Sequence, residues 1–417
     1  MNKQDKKTPK QASARANHIC LPFKSEQQYS KCVAEPAQYR EFLAQQFKKY
    51  PELFPAKFSE GYQFHSSYRR KKQDLVVRRI KLKATEKVFA IRPSFVMPYG
   101  VGRTDEVEKP LHLRGDGIAF ETLVEVYGRD INHWERMWLS LGRNSLVGTT
   151  VKDPAKLPSQ LVADEKVTWL NGEEVLVATT VSEGCFLGVG IALDQSAESL
   201  TQAYGEFKRE ARELDSHYAP ESVCTDGFTS TRLAWLDLFP AIRLILCFLH
   251  GILKIRDRCR GELRKQVLER AWHCYHAATP RQFSQRIRRL GQWAAKNLTG
   301  AVLETVEKLC ANRDRYQVAY EIPNAHRTTN AVDRLMNQQD RLLYAMRYLH
   351  GDGKKARLAV RAMALQWNFH PYSARVRRED PTRKSPFADL NGFQYHDNWL
   401  HNLLIAASLG GHGGHHP

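Results

Sequence analysis

The chain is short of acid. Its 417 residues carry 45 Asp and Glu against 63 Lys and Arg, leaving a formal charge of +18. A field of that sign disfavours basic partners and draws in a polyanion, with nucleic acid as the leading choice. Also missing is an apolar run long enough to cross a bilayer. The longest, Phe239 to Leu253, is interrupted by Arg243 and His250, so no membrane partner is expected. MNKQDKKTPKQASARAN at the N-terminus has basic residues but no apolar segment behind them, so no secretion signal is read and a cytoplasmic, DNA-associated protein is expected. The 8 cysteines are spread along the chain and form no dense framework, which predicts reduced thiols. No internal repeat is found, and low complexity is confined to the C-terminal GGHGGHHP.

What remains is a globular composition, 42% hydrophobic and 26% charged, with length for two or three domains. Residues 1–32 are polar and basic without apolar periodicity and read as a disordered tail. His18, Cys20 and Cys32 within it do not have the spacing of a close-paired zinc knuckle. Residues 33–155 read as an N-terminal DNA-binding region. Here YRRKKQDLVVRRIKLK, Tyr68 to Lys83, has strand-like alternation in its later part and offers Arg69, Arg70, Lys71 and Lys72 to phosphates, the alternative being a solvated strand face. Near 115–145, two short helices flank Tyr127-Gly128-Arg129-Asp130, the second carrying His133, Arg136 and Arg143. This fits a helix-turn-helix, with an ordinary helical hairpin as the alternative.

From Leu161 to His250 the pattern changes. LVADEKVTWL, EVLVATTV and CFLGVGIAL read as three strands joined by turns at Asn171-Gly172 and Ser182-Glu183-Gly184. A helix capped by Ser196, a fourth strand in ESVCTDGF, a short helix and a fifth strand in AIRLILCFL follow. Three antiparallel strands and then alternating helix and strand predict an α/β fold of ribonuclease-H-like order, a mixed five-stranded sheet flanked by helices. Its core would be 156–250 and 325–370, interrupted by a basic all-α insertion at 251–324, with 371–417 as a C-terminal tail and helix. Residues 251–300 hold 12 Lys or Arg and 3 Asp or Glu, half of the whole excess, and offer Lys254, Arg256 and Arg258 to DNA.

Three acids stand out. Asp164 lies in the first core strand, Asp226 ends the fourth, and Asp333 opens the helix after the insertion. Carboxylates converging from separate elements suit two divalent ions in phosphodiester cleavage, with hard oxygen ligands for Mg2+ or, alternatively, Mn2+. The bland readings are a turn cap for Asp226, a solvated Asp164 with Glu165 as the ligand, and a surface acid paired with Arg334 or Arg341 for Asp333. The Cys247 and His250 pair is read as a hydrogen-bonding support near the acids, being at most half of a zinc site. His273, Cys274 and His276 read as packing, as do Trp272 and Trp293, for which stacking on a DNA base is the alternative.

These residues carry a resemblance. ESVCTDGFTSTRLAWLDLFPAIRLILCFLHGILKIRDRC, with its strand-end aspartate and C-x-x-H step, and HRTTNAVDRLMNQQDR, with its TTN, resemble the bacterial mutator-type DDE transposases over roughly residues 115–370. The third acid of that family is glutamate; Asp333 stands in its place, and Glu321 and Asp340 are the alternatives. The resemblance implies binding of the element's terminal inverted repeats, metal-dependent strand cleavage, attack of a 3′-hydroxyl on target DNA, and a homo-oligomer that joins two double-stranded ends. The reading from another class is a regulator that retains the fold and DNA binding without the chemistry. A ribonuclease or resolvase on the same core accounts for the acids but not for the insertion or the TTN segment.

Overall fold

The computed structural model describes residues 17–71, 73–98 and 102–413. The N-terminal part is a four-stranded sheet. β1 (His18–Leu21) leads into α1 (Glu26–Ala34) and α2 (Pro36–Lys49), and β2 (Tyr62–Arg70), β3 (Leu75–Leu82) and β4 (Val88–Pro93) follow. The order is β1-β4-β3-β2, with β1 parallel to β4 and the other pairs antiparallel. β3 buries Leu75 and Val77 on one face and Ile80 and Leu82 on the other. Of the segment 1–32 read as a disordered tail, residues 1–16 lie outside the described residues, and residues 17–32 are ordered. His18 to Leu21 pair with β4, Ser25 caps α1 by accepting from Gln28 N–H at 3.1 Å, and Cys20 and Cys32 are buried.

Four helices come next: α3 (Thr104–Gly115), α4 (Phe120–Tyr127), α5 (Ile131–Leu141) and α6 (Leu146–Thr150). The predicted pair of short helices is therefore present as α4 and α5. Gly128 takes a left-handed φ of 68° between them, and the Asp130 carboxylate caps α5 on His133 N–H at 2.7 Å. Trp134, Met137, Trp138 and Leu141, spaced for one helical face, are buried, and His133 is buried beside them.

The central sheet comprises β5 (Gln160–Leu170), β6 (Glu173–Ser182), β7 (Cys185–Ala192), β8 (Ser222–Thr225) and β9 (Arg243–Leu246), in the order β7-β6-β5-β8-β9. β5, β6 and β7 are antiparallel, whereas β8 and β9 run parallel to β5. The first turn works because Asn171 and Gly172 both adopt positive φ, 53° and 89°, which matches the strand twist. Between the strands, α7 (Ala197–Leu214) and α8 (Thr229–Leu238) cover one face, with Leu200, Tyr204, Phe207 and Trp235 in its core. The fifth strand is shorter than expected: it ends at Leu246, and Phe248 already begins a helix.

Five helices then form a body with its own apolar core: α9 (Phe248–Arg258), α10 (Gly261–Tyr275), α11 (Pro280–Asn297), α12 (Gly300–Ala311) and α13 (Arg313–Glu321). Ile252, Ile255, Phe283, Ile287 and Leu309 lie in it, and the described residues from 251 to 320 contain no strand. The chain returns through α14 (Asn330–Ala345) and α15 (Gly353–Phe369), followed by α16 (Ala374–Glu379), α17 (Pro386–Asn391) and α18 (Trp399–Ala406). α14 and α15 pack on the second face of the central sheet. The segment from 371 onward, read as a tail and helix, holds three α-helices among the described residues. α18 is buried along its length, and Ser408 Oγ accepts from Cys20 N–H at 3.0 Å, tying the C-terminal segment to β1. One continuous core thus joins the N-terminal sheet, α3 to α5, the second face of the central sheet and α18, so no boundary at residue 155 separates two cores. The whole is an α/β molecule with mixed sheets and many helices.

Candidate active site

The parallel register of β5 and β8 brings two acids together. Gln160 lies opposite Ser222, Leu161 opposite Val223 and Val162 opposite Cys224. Two residues further along each strand stand Asp164 and Asp226, on the same sheet face as Val162 and Cys224 because side chains alternate with period two. That is the face covered by α14, as the bond from Gln339 Nε2 to Thr179 Oγ1 at 3.3 Å shows, Thr179 being the cross-strand partner of Asp164. Glu165 serves the other face. There it accepts from the hydroxyls of Thr231, at 2.6 Å, and Tyr204. Glu165 is held by α7 and α8, and Asp164 is the acid on the side of α14.

Burial, then the neighbouring Glu165 and Asp226 charges, push the Asp164 carboxyl up to about 7. Asp226 accepts from Phe228 N–H at 2.7 Å, so the turn-capping role holds for one of its oxygens. Gly227 follows with φ of 94°, and a side chain there would strike Leu246 at 2.4 Å.

A tether brings in the third acid. Cys247 continues β9, its N–H donating to Thr225 O at 2.8 Å. Its sulfur accepts from Thr329 N–H at 3.2 Å and lies 3.4 Å from the Thr329 hydroxyl, while Phe248 N–H donates to Arg327 O at 3.0 Å. The segment before α14 is therefore fastened to the end of β9, and Asp333 sits in the first turn of α14. Burial raises the Asp333 carboxyl, and it senses His250 and Cys247. His250 in turn senses Cys247, Asp164 and Asp226, so its ring lies in the common field of all three acids. Contact with Cys247 raises the imidazole, and hydrogen bonds from Cys224, His250 and Thr329 lower the Cys247 thiol against its burial.

Both alternative third acids are engaged elsewhere: Glu321 pairs with Arg243, and Asp340 with Lys166 at 2.9 Å. Among the described residues no three His, Cys, Asp or Glu side chains are drawn together as a ready metal cage. The donor set nevertheless suits a hard divalent ion, because Asp164 is costly to charge where it lies and a cation would remove that cost.

The residues expected to contact DNA are dispersed. Arg69 is exposed and paired with Asp74, Arg70 is half-buried, Lys71 is exposed, and Lys72 lies outside the described residues. Arg136 is exposed on α5 with its Nε on Asn132 O at 3.0 Å; Arg143 is half-buried just beyond that helix. His133 faces inward and is not available to a groove, which corrects its expected role. Lys254, Arg256 and Arg258 are exposed on α9, with Arg256 beside Asp257 at 2.8 Å and Arg258 on Thr305 at 2.5 Å. Sequence reading missed Arg315 of α13. Its guanidinium lies 3.3 Å from where a Gly227 side chain would stand, so the helical body brings a cation to the turn after β8. No local pattern marks that residue, because only the return of α13 to β9 brings it there. No protein-family model and no curated protein matches the chain.

Proposed function

We propose that the protein is a DDE-type DNA transposase with a ribonuclease-H-like core and an Asp164, Asp226, Asp333 triad. The observation that carries the reading is the β5 to β8 register, which puts Asp164, midway along β5, and Asp226, just past the end of β8, each two residues beyond the last paired positions, together with the Cys247 to Thr329 bond that fastens the segment leading to Asp333. The strand order, three antiparallel and two parallel to the first, supports the fold assignment. Asp164, Asp226 and Asp333 would hold Mg2+, or Mn2+ in its place, which when bound supplies charge for the attacking and leaving oxygens of phosphodiester cleavage. Within the chain, Glu165 and its two hydroxyl partners fix the middle of β5, His250 offsets carboxylate charge, and Arg315 offers its charge to a phosphate at the Gly227 turn. α4 and α5 would serve as the helix-turn-helix for element ends through Arg136 and Arg143. Arg69, Lys71 and α9 would hold phosphates of double-stranded DNA. Joining two ends implies a homo-oligomer.

The test is Asp226→Asn, which keeps the size of the side chain and removes its charge. DNA binding is expected within about twofold of the unaltered protein, while Mg2+-dependent nicking falls by on the order of a hundredfold or more. Equal nicking by both proteins overturns the assignment.

A further inference from the structure

The N-terminal sheet contains a charge arrangement that the carboxylate cluster does not use. Arg92 on β4 is only 6% exposed, yet its one hydrogen bond to a named partner is from Nη1 to Val96 O at 2.6 Å. Arg70, at the end of β2, is half-buried beside it. Burial and the Arg92 charge both press on the Arg70 guanidinium and lower its pKa. Among the described residues no carboxylate forms an ion pair with either arginine, whereas Arg361, as buried as Arg92, is held by both Glu206 and Glu210. Two like charges removed from water without a counter-ion are costly to keep. Both side chains line one cavity of about 160 Å³, together with His18, Tyr68 and Asn144. All of the polar groups named there can donate hydrogen bonds, and none of the side chains is acidic.

We propose that this cavity is a binding site for a single phosphate group, held between Arg70 and Arg92. Arginine forks match phosphate oxygens with paired N–H donors, and an anion there supplies the missing counter-charge. The space takes one phosphoryl group with a few waters and leaves no room for a base stacked beside it, so recognition is of the phosphate alone. The phosphate is either free in solution or part of a nucleic-acid strand that crosses the β2 end of the sheet. The site is remote in sequence from the triad, and its failure leaves the nuclease reading unaffected.

Inorganic phosphate is the probe. Its titration into the full chain at constant ionic strength, balanced with chloride, is expected to raise the melting temperature saturably. Arg70→Gln, which sits at the partly open side and spares the core, is expected to weaken the apparent phosphate affinity about tenfold or more, the effect of losing a hydrogen bond between charged groups. Lys87→Gln, an exposed change on the same sheet, is expected to leave it unaltered. Arg92→Lys keeps the charge and loses the fork, and a folded Arg92→Lys protein is expected to fall between the two. If phosphate stabilises no more than chloride, or if Arg70→Gln and the unaltered protein respond alike, the proposal is overturned. Duplex DNA distinguishes the sources. A site that holds a strand phosphate loses about one unit of salt dependence in Arg70→Gln, and one that holds free phosphate leaves DNA affinity unchanged while phosphate binding still falls.

Discussion

Asp164 shows what a carboxylate at this position costs. Its pKa, raised to about 7 by burial and by the Glu165 and Asp226 charges, exceeds the unfolded value of about 3.9. The folded state therefore binds the extra proton between those limits, and stability falls as pH rises from about 4 to about 7, then levels off. Asp164→Asn removes the term. Without divalent ions, the variant is expected to unfold like the unaltered protein near pH 4 and to be about 2–4 kcal/mol more stable near pH 8. Urea unfolding at the two pH values checks this; a variant less stable at pH 8 would contradict it. The residue scale also shows what sequence leaves open. Asp164 and Glu165 are adjacent and equally acidic, and only the pleat and the hydroxyls of Tyr204 and Thr231, some 40 and 66 residues away, tell them apart.

At the scale of elements, the joint between α7 and α15 matters most for the frame around the site. Arg361 donates to Glu206, to Glu210 and to the carbonyls of Gly142 and Asn144, and Glu210 also accepts from the N–H groups of Leu146 and Val147. Burial pushes the Glu210 carboxyl up, but Arg361 and the two backbone donors prevail and hold it below the usual range. Its contribution to stability is therefore present above the unfolded pKa and is lost as pH falls through the depressed folded value. Arg361→Met leaves Glu210 buried without its closest cation and is expected to cost about 3–5 kcal/mol near pH 7, with a smaller loss at low pH where Glu210 is protonated. Thermal unfolding across pH reads the difference; a constant penalty from pH 3 to 7 would contradict the account. The five core strands were legible because Asn171-Gly172 and Glu183-Gly184 punctuate alternating apolar runs. β1 was not. Four residues, His18 to Leu21, are too few for a periodic signal, and their pairing with β4 spans about seventy residues of chain.

For the molecule as a whole, charge and connectivity dominate. The excess of +18 and the exposed bases of α9 predict non-specific duplex binding that weakens on the order of a thousandfold between about 50 and 200 mM salt. Fluorescence anisotropy over that range would show it, and a flat profile would assign the basic surface to another partner. The sequence reads 371–417 as a tail and helix, but sequence position says nothing of where that helix docks. α18 is wedged beside β1 and α3, about three hundred residues or more away in the chain, as well as beside α15. Among the described residues no helix is long and apolar enough to cross a membrane.

Divalent-ion binding tests the convergence of the three acids most directly. Mn2+ titrated into the full chain can be followed through the paramagnetic resonance signal of the free ion. Saturable uptake is predicted, weakened tenfold or more by Asp164→Asn, by Asp226→Asn and by Asp333→Asn alike, each variant removing about one charged ligand from a shared site. Uptake by Asp333→Asn indistinguishable from that of the unaltered protein would contradict the triad.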